Sequence, residues 1–146
     1  LSPEKINAGI NAYEPLNNRS QILKKGNNTI ICDYYNANPS SMMVALDNLE
    51  SSLATQKVMI IGDMFELGEE ATFEHRSILK KALNINSSRR IFIGEEFYGL
   101  RDNSGAEFYR NTADASLALK QNPVKNATVL LKGSRGMKLE SLLDLL

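Results

Sequence analysis

Four short apolar runs recur along the chain: Thr-Ile-Ile-Cys at 29–32, Val-Met-Ile-Ile at 58–61, Ile-Phe-Ile at 91–93 and Thr-Val-Leu-Leu at 128–131. Each is too short for a helix and has almost no polar interruption, the pattern of a strand buried on both faces. Between them lie longer segments whose apolar residues return at helical spacing, such as Met42, Leu46, Leu49 and Leu53. Strands that alternate with helices need crossover connections. The chain is thereby restricted to an α/β fold with a mostly parallel sheet covered on both faces.

In chain order, Ser2-Pro3-Glu4 reads as a helix start: a serine cap, proline at the first helical position and an early acid. Residues 21–25 and 29–33 are separated only by Gly26-Asn27-Asn28, which predicts a hairpin and one antiparallel pair. The pattern then predicts a helix over 39–53, a strand over 57–62, a helix over 69–83, a strand over 90–94 and a short strand over 106–110. Thr112 is expected to cap a short helix that Gln121-Asn122-Pro123 stops. A strand over 128–131 follows, then a last helix with the stripe Leu139, Leu142, Leu143 and Leu146.

The 146 residues suit one domain. Lys plus Arg and Asp plus Glu both total 17, and this neutrality argues against a generic nucleic-acid binder, which carries a basic excess. A local basic site for one phosphate ligand remains compatible with it. Cys32 is the one cysteine, so no internal disulfide can form, and a lone thiol fits a reducing cytoplasm. No stretch approaches the ~20 apolar residues of a membrane helix, and no signal-peptide pattern is present. The chain starts at Leu1 without Met, so it is expected to be a piece of something longer.

In a parallel α/β sheet, ligands bind beyond the carboxyl ends of the strands. The segments that follow strands, 33–39, 62–68, 94–98 and 132–136, are expected on one rim. Asp33 ends a strand, where it can accept from a ribose hydroxyl, pair with a cation or serve as an ordinary turn acid. Asn36 and Asn38 can both donate and accept, which suits a ligand with amide and carboxylate groups. The plainer reading is turn and N-cap duty, for Asn38 before Pro39 above all. Lys132-Gly133-Ser134-Arg135-Gly136 looks like a phosphate or carboxylate cradle without Walker spacing, or a plain strand-to-helix turn.

Gly62 and Gly68 bracket Asp63 and Glu66, acids that could orient a cation such as Arg135, hold a metal-bound water or simply start a helix. His75 shares an apolar helix face with Ala71, Ile78 and Ala82, and we read it as a core residue. Met42, Met43 and Met59 read as core filling. Arg19, in a polar loop, carries nothing by itself. One Cys and one His exclude the common zinc spacings, and no catalytic triad or dinucleotide fingerprint is present. The residues alone describe a polar-ligand binder without a complete catalytic set and with no metal site.

Asp33-Tyr34-Tyr35-Asn36-Ala37-Asn38-Pro39-Ser40-Ser41-Met42, Gly62-Asp63-Met64-Phe65-Glu66-Leu67-Gly68 and Lys132-Gly133-Ser134-Arg135 occur in this order. Together they resemble the C-terminal domain of the Mur ligases, over essentially the whole chain. The first two runs are most similar to the branch that joins D-alanyl-D-alanine to UDP-N-acetylmuramoyl-tripeptide in peptidoglycan synthesis. The resemblance implies a Rossmann-like three-layer domain spanning 1–146, without the UDP-binding and central ATPase domains of the family. It implies ATP as cosubstrate, and Mg2+ held mainly by the central domain. Arg19, Asp33 and Asn36 would then contact the nucleotide, while Asn38, Ser134 and Arg135 would lie toward the incoming dipeptide. Asp63 and Glu66 would shape the rim. The isolated piece is expected to fold without being active, with no catalytic residue of its own. The rival readings are another Mur-type or folylpolyglutamate-type ligase domain, a stand-alone nucleotide- or peptide-binding regulatory domain, and a scaffold domain.

Overall fold

A computed structural model describes residues 21–33 and 37–146. The expected helix at Ser2-Pro3-Glu4 and residues Arg19, Tyr34, Tyr35 and Asn36 lie outside the described residues.

Strands β1 (Gln21–Lys25) and β2 (Asn28–Asp33) form the predicted antiparallel hairpin. The register pairs Lys25 with Asn28, so the connection is the two residues Gly26-Asn27, one shorter than the sequence suggested. Gly26 has φ 59 while Asn27 has none of the positive φ, which matches a turn needing glycine at its first central position. Asn28 is therefore strand, not turn. Its side chain is buried: Nδ2 donates to the carbonyls of Val124 (2.9 Å) and Leu146 (2.8 Å), and Oδ1 accepts from Ala127 N (3.0 Å).

Helix α1 (Pro39–Ser51) follows, then β3 (Lys57–Gly62), a 3-10 turn (Gly68–Glu70), α2 (Ala71–Leu83), β4 (Arg89–Ile93) and the short α3 (Glu95–Gly99). Next come β5 (Glu107–Tyr109), α4 (Thr112–Gln121) and β6 (Thr128–Lys132). The chain closes with 3-10 segments at Arg135–Met137 and Leu139–Leu145. The sheet runs in the order β1-β2-β6-β3-β4-β5, with every pair parallel except β1–β2. Among the described residues no helix is long and apolar enough to cross a membrane.

Alternate residues of each central strand enter opposite layers, as a pleated strand requires. Ile31, Met59, Ile61, Phe92 and Leu130 meet Met42, Leu46 and Leu49 of α1, Ile78 and Ala82 of α2, and Phe97 of α3. Phe92 lies against Phe97 and Phe108, with ring centroids 5.2 and 5.4 Å away. On the other face Ile30, Cys32, Ile60, Ile91, Val129 and Leu131 meet Ala115 and Leu119 of α4, together with Leu139 and Leu142. The result is the expected three-layer α/β fold, mostly parallel with one antiparallel hairpin strand. Each fully buried Leu, Ile or Phe side chain contributes roughly 1.5–3 kcal/mol before chain entropy is counted.

Three further local expectations differ from the structure. The last leucines form a 3-10 segment rather than an α-helix, and Leu139 and Leu142 fit its three-residue repeat on one face. Helix α1 ends at Ser51, and Leu53 is 99% exposed, so it drops out of the apolar stripe. Asn111, not Thr112, caps α4, its side chain accepting from Asp114 N at 2.8 Å. Thr112 instead donates its hydroxyl to the Met137 carbonyl (2.7 Å), tying α4 to the segment after β6.

Outer strand β5 is held by charge. Arg89 donates from both Nε and Nη2 to Glu107, and Tyr109 donates to the same carboxylate at 2.6 Å. Burial raises the Glu107 pKa, but the hydrogen bonds from Arg89 and Tyr109 outweigh it and hold it below the usual carboxylate range.

Asn28→Ala strips three hydrogen bonds and leaves buried backbone groups unpaired. Its expected cost is about 2–4 kcal/mol, read from the midpoint shift in urea unfolding of the domain.

Candidate functional site at the carboxyl rim

Parallel strands β2, β6, β3, β4 and β5 place the segments that follow them on one rim. Beyond β2 and β3 the chain continues into α1 and α2 on one face, whereas beyond β6 it passes to the face of α4, where Leu139 and Leu142 pack. Neighbouring strands whose exits diverge open a crevice between them, the usual ligand position in such sheets. Here the divergence flanks β6 on both sides.

Asp33 and Lys132 stand at the crevice between β2 and β6. They are register partners on adjacent strands, and Lys132 Nζ lies 2.8 Å from Asp33 Oδ2. The lysine side chain is fully buried and the aspartate side chain is 18% exposed. The sequence reading placed Lys132 only in the cradle. Its partner was not visible there, because the two residues are 99 positions apart. Beside them Cys32 points into the opposite layer. Burial, with the Asp33 charge adding to it, pushes its thiol up to about 12, so it is a neutral core group.

Asn38 caps α1. Its Oδ1 accepts from Ser41 N (2.9 Å), and Ser41 Oγ accepts from Asn38 N (3.1 Å). This reciprocal box, with Pro39 at the first helical position, fixes where the chain turns from the crevice into the helix. The Nδ2 donors of Asn38 take no part in the box.

On the other side of β6, Asp63 ties three segments together. Its N–H donates to Ile93 O (3.0 Å), and its carbonyl accepts from Ser134 N (3.0 Å). Its carboxylate oxygens accept from Glu96 N (2.9 Å) and Phe97 N (3.1 Å), fixing the start of α3. Asp63 thus braces the rim segments, a task beyond the cation, water and helix-start roles that its residue type suggested. Burial pushes its carboxyl pKa above the usual value, against the two backbone donors and His75, which favour the ionised form. Gly94, at φ 127, makes this possible: a Cβ there would sit 2.2 Å from Asp63 Cγ.

His75 is completely buried. Met64 N donates to its Nε2 (2.9 Å), so the ring proton belongs on Nδ1, which faces Ala71 O at 2.7 Å. Its imidazole edge meets Phe97 with centroids 4.8 Å apart. The core reading of His75 holds, with an added task of pinning the loop after β3. Ser134, also buried, pins the same loop from β6, since Phe65 N donates to its Oγ at 2.8 Å. Arg135, one residue on, is exposed.

The loops after β3 and β6 then enclose an open cleft of about 920 Å³. Phe65, Leu67 and Met137 give it an apolar wall, and Glu66, Arg110 and Lys138 charge its border. Gly136 admits the Phe65 ring, because a Cβ there would lie 2.8 Å from Phe65 Cε2. Glu66 (φ 65) and Lys138 (φ 57) both hold left-handed backbone unusual for their type. Of the six predicted site residues, Asp33 and Asn38 stand on the β2 side of β6 and Ser134 and Arg135 on the segment that leaves it. Arg19 and Asn36 are outside the described residues. The cleft wall was missed. A Phe and a Gly 71 positions apart in sequence give no signal of contact.

Gly94→Ala forces a side chain onto the Asp63 carboxylate and asks L-alanine to hold φ 127. The expected loss is about 2–4 kcal/mol in urea unfolding, with the loop after β3 losing amide protection first.

A family profile described as "Mur ligase, glutamate ligase domain" matches residues 18–135. The UDP-N-acetylmuramoyl-tripeptide–D-alanyl-D-alanine ligase of Buchnera aphidicola (subsp. Baizongia pistaciae) is 34% identical over 97% of this chain and 31% of its own length. The enzyme of the same name from Rickettsia prowazekii is 32% identical over 86% of this chain and 29% of its own. A crystal structure of MurF from Acinetobacter baumannii superposes with a TM-score of 0.70 at 29% identity, covering 87% of this chain and 30% of that one. The chain thus spans about a third of the length of the relatives it matches. With the family profile over most of its length and the same three-layer fold in its structural neighbours, this chain belongs to the Mur ligase family, as a C-terminal domain whose relatives are MurF enzymes.

Proposed function

We propose that this chain is the nucleotide- and dipeptide-facing C-terminal domain of an ATP-dependent ligase. The full-length enzyme would join D-alanyl-D-alanine to UDP-N-acetylmuramoyl-tripeptide in the cytoplasm during peptidoglycan synthesis. The observation that carries the reading is the split rim. An ion-paired carboxylate, Asp33, stands at the crevice on one side of β6, and an apolar-walled cleft with a charged border lies on the other. Two ligands of different chemistry suit the two sides.

ATP, when bound, supplies the phosphoryl group that activates the tripeptide carboxylate. Asp33 fits the nucleotide as an acceptor for a ribose hydroxyl, because its carboxylate is partly exposed and held at a strand end. Arg19 and Asn36 are assigned to the same nucleotide. Mg2+ is assigned mainly to the central domain, outside this chain.

The dipeptide is assigned to the β6 side. The Arg135 guanidinium can grip its carboxylate through two parallel hydrogen bonds. Ser134 contributes by fixing the Phe65 backbone, and its hydroxyl proton remains available to donate. Asn38 reaches toward the junction with the Nδ2 donors that its capping box leaves over. The domain supplies position and water exclusion rather than a covalent group. Holding an amine against an activated carboxylate makes a bimolecular step effectively unimolecular, and closure shields that carboxylate from hydrolysis. The detached domain is therefore expected to be folded and inactive.

Steady-state kinetics of the full-length ligase test the assignment. Asp33→Ala, and likewise Arg19→Ala, should raise the KM for ATP by about tenfold or more while the domain stays folded; unchanged kinetics in both would refute the nucleotide site. Arg135→Ala should raise the KM for D-alanyl-D-alanine more than that for ATP, and the reverse ranking would move Arg135 to the nucleotide.

A further inference from the structure

We infer that Lys132 is a positioning residue for the nucleotide, acting through the Asp33 carboxylate. The inference rests on the reading of Asp33 as the ribose acceptor. Lys132 is 0% exposed, so its ammonium has no surface with which to touch a ligand. A fully buried lysine is rare unless it is paired, and here it meets Asp33 Oδ2 at 2.8 Å. The pairing joins two strand ends in register rather than two loops, so both backbones are fixed by ladder hydrogen bonds.

The lysine is further immobilised from its carboxyl side. A Cβ on Gly133 would lie 2.8 Å from Gly62 Cα and 2.7 Å from Leu139 Cδ1. The backbone that leaves Lys132 therefore runs close against β3 and the closing 3-10 segment, with no space for a side chain at 133. One oxygen of Asp33 is thereby held in place by the lysine amine, which restricts rotation of the carboxylate. An ionised carboxylate offers about four lone-pair positions, so it can still accept from a ribose hydroxyl while it holds the lysine. Arginine or lysine on a mobile loop would give charge without this orientation.

The test uses the full-length ligase with ATP and 2′,3′-dideoxy-ATP. A site that hydrogen-bonds a hydroxyl discriminates against the analogue lacking it, so the wild type should prefer ATP and Asp33→Asn should lose most of that preference. Lys132→Met, close in shape but uncharged, should lose the same preference. Its KM for ATP should rise about tenfold while the KM for D-alanyl-D-alanine stays within about twofold. If Asp33→Asn loses the preference and Lys132→Met keeps it, the inference is overturned and the ribose reading stands. If Asp33→Asn keeps it, both fall.

Should Lys132→Met alone fail to fold, the double variant Asp33→Asn with Lys132→Met carries the test, since neither member of the pair then leaves the other's charge facing an apolar group. It should fold and show the ATP KM of Asp33→Asn alone. A further rise in KM, or failure of the double variant to fold, would show that Lys132 acts other than through Asp33.

Discussion

Asp63 is the group on which the rim depends. Its N–H, its carbonyl and both carboxylate oxygens each take a partner, from the end of β4, the segment after β6 and the first turn of α3. Strand pairing alone aligns the ends of β3, β4 and β6. It does not fix the loops beyond them, and loops are where a ligand is met. One aspartate immobilises three of those loops against each other. The cost is a buried carboxyl whose ionisation burial disfavours. The same requirement explains Gly94, since no other residue can pass so close to that carboxylate.

His75 and Ser134 complete the brace from separate elements. The histidine comes up from α2 and takes the Met64 N–H; the serine comes across from the segment after β6 and takes the Phe65 N–H. Two consecutive backbone donors of one loop are thus satisfied by side chains from separate elements. Glu66 follows directly in left-handed backbone. Such a conformation persists only where its surroundings over-determine it, and these two hydrogen bonds supply part of that constraint.

The strands and layers were legible because burial on both faces writes an uninterrupted apolar run, and helices between runs leave little choice of topology. Where sequence reasoning slipped, a tertiary partner decided the outcome. Asn28 looked like a turn residue, since asparagine favours turns, but three distant backbone groups make it the first residue of β2. The closing leucines fit an α-helical stripe as readily as a 3-10 one, because positions 139 and 142 lie on one face in both. At the rim, Asp33, Asn38 and the segment 132–135 were found from their places after strands. The Lys132–Asp33 pair, the Asp63 brace and the Phe65–Gly136 contact join residues that local pattern cannot connect.

The two outer strands of the described sheet have a consequence for the molecule's behaviour in concentrated solution. A parallel sheet open at both sides exposes unpaired backbone groups that another chain can extend. Here one border, β5, is only three residues long, with Glu107 committed to Arg89 and Tyr109. The other, β1, ends in Lys24 and Lys25. A second copy approaching either border would find a template too short to register or a pair of positive charges matched by its own. Among the described residues, the margins of the sheet thus carry a safeguard against joining sheet to sheet.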